Sequence, residues 1–409
     1  MFEIFTGITG LAALLSFINA KFLKLPGTIG VMILSIIASL LLGALYFIDQ
    51  PSFLSICQIV EQIEFRTILF DFLLGILLFA GAIHVNLGNL LKEKSSVIIY
   101  STIGVILSTF IIGTLFYVLS GSIGFPIDYP YCLVFGALIS PTDPVAVLAI
   151  LKKAGAPKHL EIRIVGESLF NDGVGIVVLL SILSLATTMN EFEFSHIIKE
   201  FLIEGGGGIL MGLLLGYLGQ YLVRKLTHEP VIAVHITLAI VLGGYSLSSL
   251  LHVSGALAMV VAGIVMGNSL YSKNLPQEIK DHMTIFWKVL DEIFNAVLFV
   301  LIGLEIMTLK FESDYLLLAI ISVLIVLGAR YVVIVFSNVL LKKQHRATRR
   351  EGAILTWAGL RGGISIALAL TLPESEVRDV ILFSTYTVVV FSIIVQGLTI
   401  GKLLERPIK

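Results

Sequence analysis

Charge is scarce in this sequence. Asp, Glu, Lys and Arg together make up 13% of its 409 residues, about half of the roughly 25% usual in soluble domains. Hydrophobic residues reach 57% and the mean hydropathy is +1.00. Too little polar surface exists to cover a water-exposed globule, and disorder is excluded for the same reason. The two cysteines, Cys57 and Cys132, lie far apart beside apolar stretches, which excludes a disulfide framework and a thiolate metal site. There is no excess of positive charge either: a formal net charge of −1 offers no basic face to nucleic acid. A Walker-type phosphate loop is missing, which argues against an ATPase, and no cofactor is expected. The first twenty residues do not read as a cleaved leader, since Glu3 stands where a basic start would and no small-residue cleavage site follows. What remains is an all-α polytopic membrane protein, expected to be one unit over 1–409 with no soluble domain.

A spanning helix needs about 20 apolar residues. By that rule the chain holds thirteen segments, near 3–20, 28–47, 66–85, 96–119, 130–151, 162–187, 201–223, 231–250, 252–268, 284–307, 315–341, 353–371 and 380–404. The stretch 51–65, with Pro51, Glu61 and Glu64, reads as a loop or interfacial piece. Only eight residues follow Gly401, so no regulatory tail is expected. The basic residues test the count. With the amino terminus outside and loops alternating, 21 Lys and Arg fall on the inside and only Arg66, Lys199, Lys310 and Arg378 on the outside. Arg330 and Arg361 lie deeper, within spans. This asymmetry is what the positive-inside rule requires of an odd number of spans. It places the amino terminus outside and the carboxyl terminus in the cytoplasm.

A charge at the bilayer centre costs at least about 2.5–3.5 kcal/mol, so it marks function by default. The deep charges are Asp71, Asp143, Glu167, Asp172, Arg330 and Arg361, with Asp291 and Glu292 less deep. One cluster is Ser140-Pro141-Thr142-Asp143-Pro144 in the fifth span. Two prolines three residues apart each remove an amide donor and should break the helix. Broken backbone at membrane depth survives only where it lines a cavity or is buried in protein, and its exposed ends can hold ions. A second cluster is Gly166-Glu167-Ser168-Leu169-Phe170-Asn171-Asp172. Helical spacing puts Ser168 and Asp172 on one face with Asn171 beside them, a set of hard oxygen ligands suited to a small cation. The third is Gly359-Leu360-Arg361-Gly362-Gly363 in the twelfth span, where three glycines weaken a helix by about 1 kcal/mol each and a second break is plausible. The structural alternatives are a proline kink capped by Asp143, a polar helix seam, and a small-residue seam with Arg361 in an ion pair. The fifth and twelfth spans lie seven apart, and an odd offset gives them opposite orientations, as in an inverted repeat. Crossing at mid-depth, their half-helix ends would be neutralised by Asp143 and Arg361. Gly205 to Gly208, Gly212 and Gly216 form a small-residue stripe for close helix approach. His84, His235 and His252 read mainly as seam or interface residues.

In order along the chain, Thr142-Asp143-Pro144, the Gly166–Asp172 run, Ser254-Gly255-Ala256-Leu257, Gly328-Ala329-Arg330 and Gly359–Gly363 resemble the cation/proton antiporter family. That family includes bacterial NhaP-type antiporters and the animal sodium/proton exchangers. The resemblance covers essentially the whole chain. It implies a thirteen-helix protomer with inverted repeats and two crossing broken helices, usually a homodimer. A mobile core domain, including roughly 96–187 and 315–404, would pack against a dimerisation domain. Residue by residue, Asp172 is similar to the aspartate that takes cation and proton in turn, Thr142 and Ser168 to its auxiliary oxygen ligands, and Asn171 to its positioning neighbour. Glu167 and Arg330 resemble a structural ion pair, and Asp143 and Arg361 the charges that compensate helix ends. One departure is Phe79-Ala80-Gly81 in the third span, where some microbial members carry an acidic residue.

The expected activity is exchange of sodium, or lithium, for protons across the plasma (inner) membrane. One buried carboxylate serves both ions, and the carrier crosses only when loaded. Because the local pair is Asn171-Asp172 rather than two aspartates, one-for-one electroneutral exchange is expected. Potassium/proton antiport is the nearest alternative; a cation channel, or a sodium-coupled symporter or sensor on this scaffold, is more distant.

Overall fold

The computed structural model describes residues 2–44, 48–51, 67–144, 147–148, 150–151, 155–188, 194–225, 229–271, 275–309 and 313–404. The 51–65 loop lies outside them except for Pro51, as do Arg66, Lys152, Lys153, Lys273, Lys310, Arg406 and Lys409. Among the described residues all regular structure is helical. The helices are α1 (Phe2–Ile18), α2 (Gly27–Ala44), α3 (Leu74–Ile83), α4 (Leu87–Lys92), α5 (Lys94–Ile98), α6 (Gly104–Ser122), α7 (Tyr129–Ile139), α8 (Lys158–Thr188) and α9 (Phe194–Lys225). They continue as α10 (Pro230–Leu250), α11 (Gly255–Leu270), α12 (Gln277–Glu305), α13 (Ser313–Leu340), α14 (Arg349–Trp357), α15 (Gly363–Leu370), α16 (Glu376–Phe391) and α17 (Gly397–Leu404). Single π-helical turns run into α3, join α5 to α6 and join α16 to α17.

Among the described residues, eight helical stretches are long and apolar enough to cross a membrane: Phe5–Leu23, Gly27–Ala44, Lys94–Ser122, Lys158–Ala186, Phe201–Lys225, Pro230–Leu250, Tyr315–Leu340 and Glu376–Leu404. The protein is therefore a multi-pass integral membrane protein. Shorter apolar helices occupy Ile68–Ile83, Tyr129–Ile139 and Gly255–Leu270. Helix is present in each of the thirteen segments read from the sequence. The boundary between the segments 231–250 and 252–268 is a tight turn: α10 ends at Leu250, His252 adopts a left-handed φ of 53°, and the Ser254 hydroxyl accepts the Leu257 amide to cap α11. The short helix α4, capped by Asn86 accepting the Asn89 amide at 3.0 Å, is a connection that the sequence reading left without structure.

The glycine stripe of α9 has a concrete role. A β-carbon at Gly208 would stand 2.6 Å from the Ser254 carbonyl oxygen, one at Gly212 2.5 Å from that of Ala258, and one at Gly216 2.7 Å from Val265 Cβ. Only glycine lets α9 and α11 lie backbone to backbone. On its other side α11 meets α3, where a β-carbon on Gly263 would stand 2.9 Å from the Phe79 carbonyl. These contacts hold α3, α9 and α11 as one layer, against which α8 packs through Gly173 and Leu257.

Candidate functional site

Two helical runs stop in mid-chain. Helix α7 ends at Ile139, residues 140–144 are not helical, and Val147 and Leu148 resume by donating to the Pro144 carbonyl at 3.1 and 2.8 Å. Helix α14 ends at Trp357 and α15 starts at Gly363. Breaking a helix frees carbonyls that must find donors where no water reaches. Pro144 has no amide to give the Ser140 carbonyl; Arg361 donates to it instead, and to the Pro141 carbonyl at 2.9 Å. In the second break, Arg330 donates to the Leu355 carbonyl at 3.2 Å and Gln396 to that of Trp357 at 3.1 Å. The Leu360 carbonyl accepts the Asp143 backbone amide at 2.8 Å. The two unwound stretches thus satisfy one another. Arg361 is 1% exposed, so its charge acts almost wholly on the carbonyls at the end of α7.

The Asp143 carboxyl lies at the other polarity. A β-carbon on Gly362 would stand 2.6 Å from both Cβ and Oδ2 of Asp143. This puts the carboxyl against the first turn of α15, where free amides carry partial positive charge.

Thr142 is held from the neighbouring helix by two points of one side chain. Asn171 Nδ2 donates to Thr142 Oγ1 at 2.9 Å, and Asn171 Oδ1 accepts the Thr142 amide at 3.3 Å. The Thr142 hydroxyl also meets the Ser168 hydroxyl at 3.0 Å. Thr142, Ser168 and Asn171 are all buried. Asp172, one turn along α8 from Ser168, is 8% exposed. Among the described residues its carboxylate makes no hydrogen bond or ion pair. Asp143 and Asp172 lie within electrostatic reach of each other. The structure therefore gathers Thr142, Ser168, Asn171 and Asp172, with Asp143 and Arg361 flanking them.

Glu167 points elsewhere. It is buried and takes both Arg330 terminal nitrogens, Oε1 with Nη1 and Oε2 with Nη2 at 2.9 Å. Arg330 packs under the second break, where a β-carbon on Gly359 would stand 2.7 Å from its Nε. A bidentate pair of this kind fixes α8, α13 and the end of α14 relative to one another.

The remaining deep charges separate. Asp291 accepts Asn295 Nδ2 at 2.9 Å, whereas Glu292 is exposed beside Lys288. The Asp71 side chain lies outside the described residues. In the Phe79-Ala80-Gly81 stretch of the third span, Phe79 and Ala80 are buried and Gly81 faces Leu169. Sequence reasoning missed Gln396, a buried amide that nothing local distinguishes from a lipid-facing one. It also missed a polar girdle where α8 begins. There Arg163 donates to Glu93 at 2.7 Å, and His159 Nε2 lies 2.5 Å from Glu351 Oε1. Partial burial alone would raise the Glu351 carboxyl, but the Thr348 amide and His159 hold it below the usual carboxylate range,.

The family described as sodium/hydrogen exchanger, transmembrane, matches residues 10–406. The chain is 41% identical to the Na(+)/H(+) antiporter NhaP of Pseudomonas aeruginosa, over 99% of this chain and 97% of that one. It is 30% identical to the Na(+)/H(+) antiporter NhaH of Halobacillus dabanensis, over 95% and 93%. Its fold is similar to that of the sodium proton antiporter MjNhaP1 from Methanocaldococcus jannaschii at pH 8, with TM-score 0.77, 21% identity, and 98% and 97% of the two chains covered.

Proposed function

The chain belongs to the sodium/hydrogen exchanger family, a family of transporters rather than enzymes, and from that premise we propose that it exchanges sodium for protons by competition at Asp172. The observation that carries this reading is a buried carboxylate that among the described residues has no hydrogen-bond or ion-pair partner, one turn from Ser168, whose hydroxyl is linked to that of Thr142. In a site of low dielectric such a carboxylate is neutral either as the acid or with a cation bound, and not both at once. Thr142 and Ser168 supply hard oxygens to a dehydrated sodium ion, and Asn171 holds Thr142 in register. The loaded site has the same net charge with either ion. A carrier that crosses only when loaded must therefore exchange them, one for one and without moving net charge.

The rest of the geometry supports this cycle. Asp143 sits against the amino end of α15 and Arg361 against the carboxyl end of α7, so each compensates a half-helix end. The two breaks are the crossing of the fifth and twelfth spans of a thirteen-span inverted repeat. Glu167 and Arg330 tie the moving unit together, a core domain that includes roughly 96–187 and 315–404 and works against a dimerisation domain in a homodimer. The amino terminus is outside and the carboxyl terminus in the cytoplasm of the plasma membrane, where exchange serves pH homeostasis. The test is a proteoliposome assay with a lumenal pH dye, adding lithium, sodium, potassium or calcium in turn. Dequenching with sodium or lithium is the expected result. A response to potassium alone would move the substrate assignment, and a cation flux without proton movement would overturn antiport.

A further inference from the structure

A cavity of about 630 Å³ opens at the end of the molecule where α8 finishes and α11 begins. Its inner wall includes Ile176 and Val177 of α8, which are one turn beyond Asp172, and Leu368 and Thr371 at the end of α15. Its outer wall includes Ser249 of α10 and His252 in the left-handed turn. The cavity thus leads from the surface to within one helical turn of the candidate ion site, between α8 and α15 on one side and α3, α10 and α11 on the other. The lining mixes apolar side chains, among them Phe70, Leu74 and Leu180, with polar ones. Among the described residues its single carboxylate is Glu204 of α9, which is half-buried.

We infer that Glu204 is the cation-recruiting residue of this vestibule: its carboxylate raises the concentration of small cations at the mouth of the site and sets the apparent affinity on this face of the membrane. Low-dielectric walls focus the field of a charge along the cleft between them, and such steering raises local ion concentration and on-rates by roughly 10-fold or more. Glu204 is placed for this because it stands in the lining while Asp172 lies beyond the inner wall. The inference rests on the exchange reading above, and in that topology this face is the external one.

The test uses purified, reconstituted protein in vesicles sorted by orientation. Sodium is added to one face at a time, at pH 8. In Glu204→Gln the apparent KM for sodium on the vestibule face should rise roughly 3- to 10-fold at low ionic strength. Vmax and the KM on the opposite face should stay as in the unchanged protein. N-methylglucamine salt at about 1 M, where the screening length is about 3 Å, should erase the difference, and Glu204→Asp should restore most of it. Ser249, which is exposed in the same lining, gives a second handle if Glu204→Gln does not fold. There Ser249→Asp should lower the vestibule-face KM and Ser249→Lys raise it, both in a salt-dependent way. An unchanged KM at low salt would overturn the inference, as would a KM rise equal on both faces or indifferent to salt. Failure of the unchanged protein to exchange at all would instead overturn the antiport reading.

Discussion

Asp143 gives its backbone amide to the Leu360 carbonyl at 2.8 Å, so the two unwound stretches are joined main chain to main chain. This bond crosses 217 positions of sequence and sits beside the Asp143 carboxyl at Gly362 and the Arg361 guanidinium at Ser140 and Pro141. A site assembled this way has few ways to relax. The consequences of substitution can be stated separately for each part.

Asp172→Asn should abolish exchange and leave a folded, monodisperse protein. The amide keeps the shape and removes the proton-and-cation competition. Near wild-type dequenching by the purified, reconstituted variant would refute the mechanism.

Glu167 and Arg330 should matter chiefly for integrity. Removing one partner leaves a buried charge uncompensated, which in buried pairs costs about 3–5 kcal/mol. Glu167→Gln and Arg330→Ala should each lower the melting temperature in detergent, and the double variant should cost less than the sum. Strictly additive losses would show that the bidentate contact is not what stabilises the pair.

Gly362→Ala should reduce exchange by at least ~10-fold. The backbone there, φ −107° and ψ −174°, accepts alanine, so the effect is one of space alone. The added methyl would meet Asp143 Cβ and Oδ2 at 2.6 Å and push the carboxyl off the α15 amino end, which loses its compensating charge. A wild-type exchange rate would mean that this placement is dispensable.

Exchange should be electroneutral. Asn171 cannot titrate, and Asp143 already faces the partial positive charge of a helix end, which leaves Asp172 as the one group that cycles. With vesicles clamped at different potentials by potassium and valinomycin, at fixed sodium and pH gradients, the exchange equilibrium should not move. A shift with voltage would show net charge transfer and a second titrating group.

The His159–Glu351 contact should make stability depend on acid pH. Glu351 is held below its ordinary value of 4.5, so the folded protein binds its proton less readily than the unfolded chain. The stabilisation is present above about pH 4.5 and is lost as pH falls through the lower, folded value. Melting temperatures of the protein and of Glu351→Gln should therefore differ at neutral pH and converge on acidification. Parallel curves down to pH 3 would exclude a titrating contribution from this carboxyl.

Much of this was legible in the residues themselves. Scarce charge and long apolar runs determine a multi-pass membrane protein, because 57% hydrophobic residues leave no soluble alternative. The break at 140–144 is written in Pro141 and Pro144, since a missing amide acts locally. The face shared by Ser168 and Asp172 follows from helical periodicity alone. Other features depend on which helices meet, and no local rule carries that information. Gln396 and Arg330 become donors to the Trp357 and Leu355 carbonyls only because α13 and the α16–α17 run pack against the end of α14. Asp291 and Asp172 look alike as intramembrane carboxylates. Asp291 meets Asn295 one turn along its own helix, a contact that periodicity already gives; that Asp172 is buried and, among the described residues, left with no such partner is decided by tertiary packing. A buried polar group takes its role from the partner that desolvation forces on it, and that partner is chosen by the fold.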